Sequence, residues 1–133
     1  MEILDKISSA RAERETFMSS YFFIQSKLGD LVIDIQGAST KPGTLLDSFT
    51  KKTKSPDWNN QLWTFGTPDF LPNFYFIQSK LGDLVIDIQG ASTKPGALLD
   101  AFTLKTKGPD WDNQLWTFVD EHGNSVTPPP YPS

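Results

Sequence analysis

The chain contains one segment twice, and this internal repeat constrains the fold more than any other feature. Residues 23–65 align without a gap on residues 76–118 at an offset of 53 residues, and only five of the 43 aligned pairs differ. The differing pairs are Thr44/Ala97, Ser48/Ala101, Lys51/Leu104, Ser55/Gly108 and Asn59/Asp112. Because segments this similar form one structural unit used twice, any site in the first copy should recur in the second. We therefore expect an at least bivalent chain.

Each copy is typical of about four short β-strands separated by turns. The predicted strands of the first copy have the sequences YFFIQS, LVIDIQ, TLLDSF and QLWTF, and the turns between them contain Gly29 and the Pro42-Gly43 pair. Within LVIDIQ, the aliphatic residues Leu31, Ile33 and Ile35 alternate with Val32, Asp34 and Gln36. This period of two predicts a half-buried strand whose aliphatic face lies in the core.

The segments outside the repeats differ in character. Apolar residues recur at helical spacing over residues 2–17 and predict an N-terminal helix. The last residues, TPPPYPS, favour an extended polyproline conformation. The predicted organisation is a helical segment at 1–20, a first repeat at 21–73, a second repeat at 74–121 and a Pro-rich tail at 122–133.

Charge and composition exclude several classes of function. The formal net charge of −4 offers no basic surface for a phosphate backbone, so we expect no nucleic-acid partner. The chain has no cysteine, which excludes thiolate metal sites and thiol enzymes. No cluster of carboxylates beyond the candidate sites indicates a metal, and no cofactor is expected. The first 20 residues lack an apolar stretch, so we expect no membrane insertion and a cytoplasmic or non-classically secreted protein.

Catalysis is not favoured by the residues present. The single histidine, His122, lies outside the repeat, so no Ser/His/Asp set can form. Asp34 and Asp47 could in principle form an acid and base pair like that of glycoside hydrolases. Their surroundings read as half-exposed and hydrophilic, with nothing to raise one pKa. We expect a protein that is not an enzyme.

A polar surface of strand and loop residues remains as the candidate site in each copy. A carboxylate accepts hydrogen bonds from neighbouring hydroxyls, an amide donates and accepts, and an aromatic ring covers the apolar face of a pyranose. These residue types suit a sugar, although the same aspartates could cap turns and the phenylalanines could fill core. The residues are Asp34, Asp47, Phe49, Asn60 and Gln61, repeated as Asp87, Asp100, Phe102, Asn113 and Gln114.

The order and spacing of three motifs resemble a repeat of the ricin-B-type (R-type) lectins. In the first copy the motifs are LVIDIQG, PGTLLDSF and NNQLWTF, and in the second they are LVIDIQG, PGALLDAF and DNQLWTF. Gln61-Leu62-Trp63 and Gln114-Leu115-Trp116 match the Gln-x-Trp signature of that family. The resemblance implies a β-trefoil fold, built from three four-stranded repeats, and binding of galactose, N-acetylgalactosamine or glycans that end in them.

The resemblance also implies a role for each candidate residue. The aspartate that binds the sugar in the family corresponds to Asp34 and Asp87. The aromatic residue that stacks on the sugar corresponds to Phe49 and Phe102. A further hydrogen-bonding residue corresponds to Asp47 and Asp100, and the asparagine that touches the sugar to Asn60 and Asn113. Gln61 and Gln114 would brace the site, while Trp63 and Trp116 would lie in the core. Trp58 and Trp111 are outside the motif and could pack or form a loop lid.

The sequence departs from the family pattern because it holds two repeats where a trefoil has three. Two repeats should leave an apolar face that needs cover. Three chains could form two trefoils, the N-terminal helix could fill the gap, or chains could pair or propagate, so we expect a homo-oligomer among these alternatives. The leading interpretation is a lectin. The alternatives are a self-assembling structural protein with vestigial sugar sites and the targeting module of a glycan-active enzyme.

Overall fold

The structure, a computed structural model, describes residues 15–17, 20–69, 71 and 73–127. Its regular elements are nine strands and four short 3-10 turns, and the described part of the chain contains no α-helix. The strands are β1 (Glu15–Phe17), β2 (Leu31–Ile35), β3 (Thr44–Thr50), β4 (Trp63–Pro68), β5 (Phe76–Ser79), β6 (Leu84–Ile88), β7 (Leu99–Thr103), β8 (Phe118–Val119) and β9 (Ser125–Val126). The 3-10 turns are Gln36–Ala38, Asp57–Gln61, Gln89–Ala91 and Asp110–Gln114. The predicted all-β class is confirmed.

Seven strands form one antiparallel sheet in the order β1-β4-β5-β6-β7-β3-β2, and β8 pairs with β9 alone. Each repeat contributes a hairpin in which two aspartates lie opposite each other. Asp34 of β2 faces Asp47 of β3, and Asp87 of β6 faces Asp100 of β7. The hairpin register therefore brings two carboxyl groups together in each copy.

The expectation of about four strands per copy is correct for the second repeat and wrong for the first. In the first repeat the YFFIQS segment forms only isolated bridges, at Phe22 and Gln25. Its counterpart β5 forms a full strand because it pairs along its whole length with β4 of the preceding repeat. The first repeat has no preceding repeat, so this segment lacks the partner that would order it as a strand.

The N-terminal helix predicted over residues 2–17 is wrong where the structure tests it. Glu15–Phe17 forms strand β1 and pairs with residues 66–68 of β4. Backbone hydrogen bonds to an available strand edge override the local helical spacing of apolar residues. Residues 2–14 of the predicted helix and residues 128–133 of the predicted tail lie outside the described residues.

The core lies where the two repeats meet. Trp63 and Phe65 of the first repeat pack with Leu84 and Ile86 of the second in the main apolar cluster. A second cluster contains Phe76, Val85 and Trp111 on the other face of β6. In the second repeat both faces of LVIDIQ are therefore covered. In the first repeat Val32 and Asp34 are buried while Leu31 and Ile33 are only half-buried, so the predicted alternation of a buried aliphatic face and a solvated face is wrong.

Candidate functional site

The structure contains two equivalent open clefts, one in each repeat. The volume is about 400 Å³ for the first cleft and about 390 Å³ for the second. The first cleft is lined by Asp34, Gly37, Ala38, Asp47, Phe49, Lys52 and Asn60. The second is lined by Asp87, Gln89, Gly90, Ala91, Asp100, Phe102, Lys105 and Asn113. Eight of the ten site residues predicted from the sequence thus line the clefts, and the exceptions are Gln61 and Gln114.

Local backbone geometry forms the walls of each cleft. In the first repeat, Phe49 lies two residues after Asp47 on β3, so both side chains project from the same face of the hairpin. The turn after β2 places Gly37 and Ala38 in the left-handed region, with φ of 64° and 52°. A left-handed non-glycine residue is uncommon, and here it recurs at the same place in the second cleft, at Ala91.

The aromatic residues of the clefts are exposed. Phe49 is 52% exposed and Phe102 is 38% exposed. Neither belongs to the apolar clusters of the described core. The alternative that these phenylalanines fill the core is therefore wrong, and each ring is open to a ligand in the cleft.

A buried amide network fixes the aspartate at the base of each cleft. The Nδ2 atom of Asn60 donates to Asp34 Oδ2 at 3.2 Å and to the Ile35 carbonyl at 2.9 Å. The Nε2 atom of Gln61 donates to the same Asp34 oxygen at 3.0 Å and to the Thr50 carbonyl at 3.0 Å. Asn113, Gln114 and Asp87 repeat this arrangement in the second copy.

The network defines what each amide can offer a ligand. Both amide hydrogens of Asn60 are used within the protein, so only its carbonyl oxygen has capacity left. Gln61 is fully buried, and its Oε1 accepts from the Lys52 backbone N–H at 2.8 Å. These geometries make Gln61 a brace for the wall of the cleft, as the resemblance implies, and make Asn60 a residue that orients Asp34.

Sequence reasoning missed a lysine in each cleft. The Nζ atom of Lys52 donates to Asn60 Oδ1 at 2.8 Å and to the Asp57 carbonyl at 3.0 Å. Lys105 makes the same two contacts with Asn113 and Asp110. An ammonium group has three donors, so one remains for a ligand. No sequence signal distinguished these lysines, because 38 of the 43 aligned pairs are identical and retention alone singles out no residue.

The paired aspartates contradict the expectation that nothing raises a pKa in the site. Burial, together with a hydrogen bond and charge repulsion from Asp34, raises the pKa of Asp47 to about 6. The same causes, with Asp87 as the neighbour, raise the pKa of Asp100 to about 7. The Oδ1 atoms of Asp47 and Asp100 are buried and have no donor partner among the described residues. A proton shared within each pair accounts for both observations.

The hairpin places the two aspartates of each pair side by side. In glycoside hydrolases the two carboxyl groups lie about 5–9 Å apart, on either side of the bond that is cleaved. Here Asp34 and Asp47 lie opposite each other on neighbouring strands of one hairpin, and both line the first cleft.

The tryptophans support the site without lining it. The Nε1 atom of Trp63 donates to the Ile33 carbonyl at 3.1 Å, and that of Trp116 donates to the Ile86 carbonyl at 3.1 Å. Trp111 packs edge-on against Phe76, with ring centroids 5.6 Å apart. Of the two roles considered for Trp58 and Trp111, packing is the one that the contacts support, because Trp58 makes a similar contact with Phe23 at 5.9 Å.

Within the described ranges, no group of three or more His, Cys, Asp or Glu side chains is placed to hold a metal ion. No helix of this part of the chain has the length and apolar character needed to cross a membrane.

Comparison with known proteins supports the fold. A designed threefold-symmetric protein, ThreeFoil, matches 76% of this chain with a TM-score of 0.63 and 23% sequence identity. The chain spans 65% of the length of that protein, about the share that two of three repeats occupy. The repeats are therefore trefoil-like. No protein-family model matches the chain, and no curated protein does.

Proposed function

We propose that this chain is a carbohydrate-binding protein with two equivalent sites and no catalytic activity. The observation that supports the proposal is that the same set of groups surrounds both clefts: a fixed aspartate, a second carboxyl group, an exposed aromatic ring and a lysine. Each cleft falls within the range of about 300–1,000 Å³ that is typical of small-molecule sites. Its residues suit a ligand with several hydroxyl groups and one apolar face.

The expected ligands are galactose, N-acetylgalactosamine and glycans that end in them, as the resemblance to the ricin-B-type lectins implies. The exposed phenylalanine would stack on the apolar face of the pyranose. The carboxyl groups would accept hydrogen bonds from sugar hydroxyls, and the lysine would donate one. Two sites on one chain gain avidity on a surface that presents glycans at matching spacing.

The first test is retention on immobilised galactose and elution by free galactose. Truncating both exposed rings, Phe49→Ala plus Phe102→Ala, should abolish retention and change stability little, because neither ring is part of the described core. Phe74→Ala removes a ring of similar exposure outside the clefts and serves as the matched control. Asp34→Asn plus Asp87→Asn should also abolish retention while the circular dichroism spectrum stays unchanged.

An alternative function is a self-assembling structural protein with vestigial sugar sites. The apolar surface left open at the end of each repeat favours it. If wild type is retained neither on galactose nor on a broad glycan array, the proposal of a lectin is refuted and the structural role takes its place.

A further inference from the structure

The two repeats offer a direct comparison of the same residues in different surroundings. Ile77, Leu84, Ile86 and Ala101 of the second repeat are buried, at 7% exposure or less. Their counterparts in the first repeat, Ile24, Leu31, Ile33 and Ser48, are less buried. These four positions of the first repeat are called the first open face. They border a groove of about 230 Å³.

The second repeat shows the converse difference. Trp63 and Phe65 of the first repeat are buried, whereas their counterparts Trp116 and Phe118 are only partly buried. Leu98 is 54% exposed and Leu99 is 36% exposed, although Leu45 and Leu46 at the same positions of the first repeat are partly buried. We call Leu98, Leu99, Trp116 and Phe118 the second open face.

The junction inside the chain explains both differences. There the first repeat covers the second, because β4 pairs with β5 and β3 pairs with β7. In the second pairing Thr44 lies opposite Ala101 and Leu45 lies opposite Asp100, and the Gly43 N–H donates to the Ala101 carbonyl at 2.8 Å. The two open faces are the unused halves of this same junction.

We propose that the first open face binds the second open face of another copy of this chain. The offset of 53 residues gives the register of the new junction: Ala97 opposite Ser48 and Leu98 opposite Asp47. Two of the five sequence differences between the repeats fall on this pairing. Within the chain Thr44 lies opposite Ala101, and between chains Ala97 would lie opposite Ser48. Each junction thus keeps one small hydroxyl residue against one alanine.

This junction determines the assembly. Two chains keep their internal junction and each leaves one place of a trefoil open, while the third chain exchanges its internal junction for the same junction between chains and supplies one repeat to each. Three chains, with six repeats, thus complete two trefoils. The expected mass in solution is about 45 kDa, three times the 14.9 kDa of the chain.

A disulfide test distinguishes this surface from any other mode of association. The chain has no cysteine of its own, so Ser48→Cys plus Ala97→Cys introduces the only thiols. Residues opposite each other on antiparallel strands have Cα atoms about 4.5–5.5 Å apart, which suits a disulfide. Mild oxidation should link chains into covalent oligomers. The matched control, Thr44→Cys plus Ala101→Cys, should close a disulfide within the chain.

Mass measurement by light scattering at micromolar concentration completes the test. Leu98→Asp should lower the mass to that of one chain, while Leu28→Asp, at an exposed leucine outside both faces, should not. A wild-type monomer, or an oligomer whose thiols at positions 48 and 97 form no link between chains, would overturn the proposal. Neither readout depends on a sugar, so the outcome is independent of the proposed function.

Discussion

The proton shared by Asp87 and Asp100 should make the stability of the protein depend on pH. The pKa of Asp100 is about 7 in the folded protein, against 3.8 for an unperturbed aspartate. Between these two values the folded state binds more protons than the unfolded chain, so stability should fall as pH rises. The contribution is fully present below about pH 4 and is lost as pH passes through about 7.

The size of the effect follows from the same values. At about 1.36 kcal/mol per pKa unit, the difference between 3.8 and about 7 corresponds to at most about 4 kcal/mol. The cleft is open to water, which screens the charges, so we expect roughly half of that, about 2 kcal/mol.

The perturbation that tests this reasoning is Asp100→Asn. The asparagine amide can donate to Asp87 at every pH, so it replaces the protonated carboxyl permanently. Urea unfolding followed by tryptophan fluorescence at pH 5 and pH 8, at one protein concentration, measures the free energy of unfolding. Only the two pKa units between pH 5 and about 7 fall within this range, so the wild type should lose about 1.4 kcal/mol more than the variant between pH 5 and pH 8. Asp83→Asn, at an exposed position, is the control and should behave as wild type. An equal pH dependence in wild type and Asp100→Asn would refute the shared proton.

Three further predictions concern single residues. Gln114→Ala removes the three hydrogen bonds of a buried side chain and should lower the free energy of unfolding by about 3 kcal/mol, measured by urea titration. A loss below about 0.5 kcal/mol would show that the brace contributes little to stability. Gly108→Ser should lower the free energy of unfolding by about 1–2 kcal/mol, because the new Cβ would lie 2.9 Å from Trp111 Nε1. Ser55→Gly, at the matched position of the first repeat, should lower it less. Thermal unfolding compares the two, and equal losses would contradict the steric reasoning. Lys105→Met, made together with Lys52→Met, keeps the aliphatic stems and should weaken galactose binding about tenfold in a calorimetric titration; an unchanged affinity would remove the lysines from the site.

The repeat made much of the fold and site predictable. Apolar and polar residues alternate along the strands, and glycine and proline mark the turns, so the hairpins could be located from the sequence. The candidate residues Asp34, Phe49 and Asn60 were found because their residue types and spacing match a known motif. Eight of the ten predicted site residues line the clefts.

What could not be predicted depends on tertiary contacts. The pKa of Asp47 rises because it is buried and lies opposite Asp34 across the hairpin. Residue composition does not determine which residues of two strands lie opposite each other, so this rise could not be predicted. Lys52 entered the site through its contact with Asn60, which lies across a turn. Residues 15–17 form a strand because β4 offers them an edge, and a local pattern of apolar residues carries no information about that edge.

The first and second open faces have a consequence for how a further repeat could be added to the chain. A gene that gains one more copy of the 53-residue unit needs no new packing surface, since Leu98 and Leu99 already present what Leu45 and Leu46 present to the second repeat. Such a duplication would therefore not prevent the longer chain from folding. It would add a third copy of the cleft in the same step, so the number of clefts and the completion of the trefoil would change together.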